Sequence, residues 1–121
     1  MSLLCDSFPS MDSICVDTGE VKVSKLNLTT SFVNTCTVIA FEMNEIKFMA
    51  HIDAINPNME KIVLKNMKNL DLNNVSEVKV WKGTKCENYC PSFNIAENIL
   101  KKFPKRTKIL YFRANNDIIK I

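Results

Sequence analysis

Cys36 to Ile52 reads CTVIAFEMNEIKFMAHI, two apolar runs broken only by Asn44-Glu45, and this stretch decides the fold. Runs this rich in β-branched and aromatic residues on either side of a polar pair predict two strands, Cys36 to Met43 and Ile46 to Ile52, joined by a two-residue turn. With that turn, Met43 faces Ile46, Glu42 faces Lys47, Val38 faces His51 and Cys36 faces Asp53. Glu42 and Lys47 then form a favourable cross-strand charge pair. One face collects Ile39, Phe41, Met43, Ile46, Phe48, Ala50 and Ile52, an apolar wall suited to a core. A slip of one residue would bury Glu42 and Lys47 instead, so the register is strongly specified. The other face gathers Cys36, His51 and Asp53, with Cys36 and His51 as diagonal neighbours, their Cβ atoms ~7 Å apart or less.

Outward from the hairpin, Ser13–Val16 and Val21–Val23 read as a shorter hairpin across Asp17-Thr18-Gly19-Glu20. Downstream, Asn56-Pro57 opens a helix: Asn caps, Pro takes the first turn and Glu60 complements the dipole. Met59, Ile62, Val63, Met67 and Leu70 give that helix an apolar stripe. Val75–Trp81 alternates as a strand. A loop from Lys82 to Pro91 leads to a second helix from Ser92, with Phe93, Ala96, Ile99, Leu100 and Phe103 inward and Pro104 as its stop. Thr107–Arg113 and Asp117–Ile121 complete the chain as strands around an Asn115-Asn116 turn. The expected fold is α+β: a layered, mostly antiparallel β-sheet or sandwich with two main helices packed outside. Residues 1–12, with Pro9, serines and aspartates, read as a loosely held lead-in, and residues 13–121 as one domain.

Composition narrows the function. The 121 residues are 46% hydrophobic and 24% charged, values that suit one globular domain and exclude a disordered tail. A net charge of +3 with scattered lysines argues against a nucleic-acid partner. Lys101-Lys102 and Lys105-Arg106 read as a solvated helix end. Glu42, Glu45 and Lys47 interrupt the most apolar stretch, so no membrane span is expected, and Met1–Ser10 lacks the features of a secretory signal. The expected location is the cytoplasm.

Five cysteines, Cys5, Cys15, Cys36, Cys86 and Cys90, make an odd and irregularly spaced set, which argues against a full disulfide framework; in a reducing compartment each reads by default as a small buried hydrophobe. Cys86 and Cys90 have a spacing seen in zinc loops, but two further ligands are missing. They read as exposed loop thiols, with zinc and a labile disulfide as the alternatives. No cofactor or metal is expected. Cys36 differs from the others because the only histidine of the chain lies within its reach. An adjacent imidazole raises the thiolate fraction of a cysteine and supplies a proton to a leaving group.

Thr29-Thr30-Ser31-Phe32-Val33-Asn34-Thr35-Cys36, an apolar strand, a short turn and Phe48-Met49-Ala50-His51 together resemble the Cys-His amide hydrolases. These include the chemoreceptor glutamine deamidases of the CheD family, the protein N-terminal asparagine amidohydrolases and, more distantly, the cytotoxic necrotizing factor toxins. The resemblance implies Cys36 as nucleophile, His51 as its acid–base partner and Thr30, six positions before Cys36, as the residue orienting His51. His51-Ile52-Asp53 and Thr35 directly before Cys36 look closer to the asparagine amidohydrolases. Thr35 is the implied oxyanion candidate beside the Cys36 amide, and Asp53 the rival orienter. Trp81-Lys82-Gly83 stands where such proteins have a strand running into glycines. The implied activity is hydrolysis of a Gln or Asn side-chain amide of a protein or peptide through a thioester, releasing ammonia, with no cofactor. Family members carry glycine where this chain has Asn34-Thr35, and this difference favours the alternative of a non-catalytic interaction module. A peptide-bond-cleaving cysteine protease fits less well, for want of a long cleft.

Overall fold

The computed structural model describes residues 13–115 and 117–121, so the lead-in of residues 1–12 and the second half of the Asn115-Asn116 turn lie outside the described residues. Along the chain run β1 (Ser13–Cys15), β2 (Val21–Ser24), β3 (Asn27–Thr30), β4 (Thr37–Met43), β5 (Ile46–Ile52), α1 (Met59–Met67), a 3₁₀ turn (Leu72–Asn74), β6 (Glu77–Lys82), α2 (Pro91–Leu100), β7 (Lys108–Arg113) and β8 (Ile119–Lys120). The β4–β5 hairpin has the expected register, with Glu42 opposite Lys47, Val38 opposite His51 and Thr37 opposite Ile52. Asn44 takes a left-handed conformation at the turn (φ 56°), which a short polar side chain tolerates better than most.

The architecture is α+β: a five-stranded sheet ordered β2-β5-β4-β6-β7 and a three-stranded sheet ordered β1-β3-β8. Both helices pack on one face of the larger sheet. There Ile39, Phe41, Phe48, Ala50, Ile52, Val78 and Val80 meet Met59, Val63, Ala96 and Ile99 in the main core. The smaller sheet covers the opposite face, where Leu28, Val38, Ala40, Met49 and Ile119 form a second cluster that includes Cys36. β4 is therefore buried on both sides, except at Glu42. Strands sealed on two faces read as nearly continuous apolar runs, which is the character of Thr37–Phe41.

Two expected pairings are corrected. β1 and β2 flank the turn closed by the Glu20 N–H on the Asp17 carbonyl, with Gly19 at φ 79°, yet they form no hairpin. β1 runs parallel to β3, and β2 pairs with β5. The chain changes sheets at Gly19, whose N–H donates to the His51 carbonyl, while the His51 N–H donates to the Glu20 carbonyl. β7 and β8 likewise part company: β7 runs parallel to β6 after the α2 crossover, and β8 joins β3. β3 was not foreseen, because NLTT has too little alternation to stand out. The first helix starts at Met59 rather than at Pro57. Asn56 instead accepts from the Asn58 N–H (2.9 Å), forming the turn that leads into it.

Candidate active site around Cys36 and His51

β3 and β5 belong to different sheets, and their side chains meet between the layers. Thr30 ends β3, and its hydroxyl lies 2.7 Å from His51 Nδ1. That hydroxyl also donates to the Val16 carbonyl at 2.7 Å. A hydroxyl has one proton; with it given to Val16, Thr30 accepts from the ring. His51 therefore carries its proton on Nδ1 and leaves Nε2 as a bare acceptor. Nε2 is buried and has no hydrogen-bond partner, a condition shared among the described side chains only by Thr29 Oγ1. A buried polar atom left unpaired costs about 1–3 kcal/mol.

Cys36 immediately precedes β4 and stands opposite Asp53, one diagonal step from His51 on the same face. The thiol is only 7% exposed and His51 is fully buried. Among the described cysteines Cys36 is the free one. Burial pushes its thiol up to about 12, with the Asp53 carboxylate adding to the rise. Burial also pushes His51 down to about 4, against the opposing attraction of Asp17 and Asp53. Both groups are therefore neutral at pH 7; they share a face, but no hydrogen bond joins the Cys36 thiol to the His51 ring.

Asp53 does not orient the ring. Its carboxylate accepts from the Ile55 N–H (3.0 Å), and its carbonyl accepts from the Asn56 N–H, so it shapes the turn after β5 and acts on the site only through its charge. Thr35 is exposed, and its carbonyl accepts from the Ser92 hydroxyl at 2.7 Å. The Cys36 N–H makes no hydrogen bond among the described residues.

The segment before Cys36 is held by the loop after β6. Gly83 donates to the Cys36 carbonyl (3.0 Å), Thr84 to the Val33 carbonyl (2.9 Å) and Lys85 to the Asn34 carbonyl (3.0 Å). A Cβ at position 83 would lie 1.9 Å from the Asn34 oxygen, so only glycine fits. The glycine that this close approach requires sits in the facing loop, directly after β6, rather than beside the cysteine. Arg113 pins the same loop from β7 through the Gly83 carbonyl (2.9 Å) and the Cys86 carbonyl (2.6 Å). Cys86 and Cys90 are joined in a disulfide and are buried, at 1% and 6% exposure, which corrects the reading of them as exposed loop thiols. Cys15 is not free either. The default of a small buried thiol therefore holds for Cys36 but not for Cys15, Cys86 or Cys90. No helix among the described residues is long and apolar enough to cross a membrane.

Sequence reasoning missed Ser92 and Arg113 as parts of this scaffold, and the spacing of neither announces such a role. The chain matches no family model and no curated protein.

Proposed function

We propose that the protein is a cysteine-dependent amidohydrolase that hydrolyses the side-chain amide of a Gln or Asn residue in a protein or peptide and releases ammonia. The observation that carries this reading is the Thr30–His51 hydrogen bond, which commits Nδ1 and leaves Nε2 bare on the face that holds the free thiol. An acceptor kept unpaired in a dry site costs stability, and a proton-transfer role accounts for the cost.

Because both groups rest neutral, Nε2 takes the thiol proton as Sγ attacks the amide carbon, rather than drawing on a standing thiolate. The new C–S bond places negative charge on the amide oxygen, where the unpartnered Cys36 N–H is available to donate. The resulting imidazolium gives its proton to the departing nitrogen, and ammonia leaves a thioester. Nε2 then takes a proton from water as the water oxygen attacks the thioester carbon. The C–S bond breaks, the carboxylic acid departs and the thiol regains its proton. Thr30 accepts from Nδ1–H throughout and keeps the ring from turning. The small exposure of Cys36 supports a side-chain amide over a backbone peptide bond: a carboxamide on a flexible stem is slender, whereas a backbone amide brings residues on both sides.

The second reading, a non-catalytic interaction module, draws on the same near-closure and on the raised thiol pKa. The two separate in one assay of ammonia release and deamidation mass shift on Gln and Asn peptides. The amidohydrolase expects turnover that Cys36→Ala abolishes and His51→Ala lowers by about 10²–10⁴-fold. The acid limb of its kcat/KM profile should fall near pH 4. Wild-type rates equal to those of Cys36→Ala would leave the interaction module standing.

A further inference from the structure

Ser92 lies in the first turn of α2 and is fully buried, although it belongs to the helix-covered side of the sheet and not to the Thr30–His51 pair. Its hydroxyl donates to the Thr35 carbonyl at 2.7 Å and lies 2.9 Å from the Thr37 hydroxyl. With the Ser92 proton given to Thr35, the Thr37 hydroxyl is the donor of the second bond. A relay therefore runs from Thr37 through Ser92 to Thr35, and its two ends are the residues immediately before and after Cys36.

In a trans peptide the carbonyl of one residue and the N–H of the next point in opposite directions across one rigid plane. Anchoring the Thr35 oxygen thus fixes the bearing of the Cys36 N–H, the donor left unpartnered at the candidate site. Donation into the carbonyl also polarises that amide and makes its N–H a stronger donor, an effect the incoming Thr37 bond enlarges. Neither consequence needs Ser92 to touch a substrate.

We propose that Ser92 is a positioning residue for catalysis, aiming and polarising the Cys36 amide that stabilises the oxyanion. This rests on the amidohydrolase reading. Losing a whole oxyanion donor costs about 10²–10³ in kcat, and losing only its alignment should cost less.

The experiment compares wild type, Cys36→Ala, Ser92→Ala and Ser92→Thr in ammonia release from a Gln or Asn peptide. Thermal unfolding and the amide nitrogen and proton shifts of Cys36 are recorded alongside. Expected for Ser92→Ala is a kcat lower by roughly 10–100-fold with KM little changed, the signature of an interaction made in the transition state. The Cys36 amide signal should move upfield, and Ser92→Thr, which keeps the hydroxyl, should restore both readouts. The proposal is overturned if Ser92→Ala keeps wild-type kcat, or if its loss follows lowered thermal stability with no movement of the Cys36 amide signal. A wild type no faster than Cys36→Ala overturns the amidohydrolase reading itself, and the proposal with it, before any Ser92 variant is compared.

Discussion

His51 shows how much one buried ring can impose on a small domain. Its imidazole is held neutral, with a pKa of about 4 against an ordinary 6.5. Above pH 6.5 neither the folded nor the unfolded chain protonates it, and the full stability is present. Below that pH the unfolded chain takes up a proton that the folded chain refuses until about pH 4, so stability falls through this window. The shift corresponds to roughly 3 kcal/mol. Urea midpoints between pH 7 and pH 4 should therefore decline more steeply for the wild type than for His51→Gln; parallel slopes would show that the ring is protonated in the folded state. At this scale the sequence was informative where chemistry is local. The Cys36–His51 diagonal is visible in the chain because strand geometry fixes it, whereas Thr30 was indicated only by the family resemblance. The neutral state of both groups was not visible, because it comes from burial beneath a second sheet whose strands are short and weakly patterned.

Among the elements, the loop between β6 and α2 does most to shape the site. It supplies Gly83, Thr84 and Lys85 to the segment before Cys36, and its disulfide closes the turn from Cys86 to Cys90 at the start of α2. A cross-link over so short a loop restrains the unfolded chain by roughly 2 kcal/mol. The double substitution Cys86→Ser with Cys90→Ser should lower the urea-unfolding free energy by about that amount. It should also speed amide exchange at Lys85, whose N–H bonds to Asn34. Unaltered exchange there would mean that Arg113 and Gly83 hold the loop without the cross-link. The loop was the least legible element in the sequence. Its hydrogen bonds join residues about fifty positions apart, and no periodicity reports contacts of that kind. The central hairpin was legible for the opposite reason: its partners are close in the chain, and only one register buries its apolar face.

At the level of the whole molecule, the candidate site is built between layers, with Thr30 from the smaller sheet and His51 from the larger. Its geometry depends on contacts far from either residue. Ile119 of β8 pairs with Thr30 and is buried in the cluster that includes Cys36. Ile119→Ala should cost about 2–5 kcal/mol, and turnover should fall with it although the side chain touches no reacting group. Full activity in a destabilised but folded Ile119→Ala protein would show that Thr30 is held by Val16 alone. The overall α+β layering followed from the two apolar helix stripes and the strand runs. The division of strands between sheets did not, because Asp17–Glu20 and the segment after Arg113 look like hairpin turns when only neighbouring sequence is considered.

The missing side chain at position 83 also constrains inheritance. Because the Asn34 oxygen occupies the space a methyl group would need, the two backbones interlock, and neither segment is a free-standing module. Grafting Val33–Cys36 onto another scaffold would produce a collision unless the facing loop offered a glycine as Gly83 does. The colliding atoms are backbone, so position 34 is free to change its side chain while position 83 is not. Any distant descendant of this chain that keeps this turn should therefore keep the glycine.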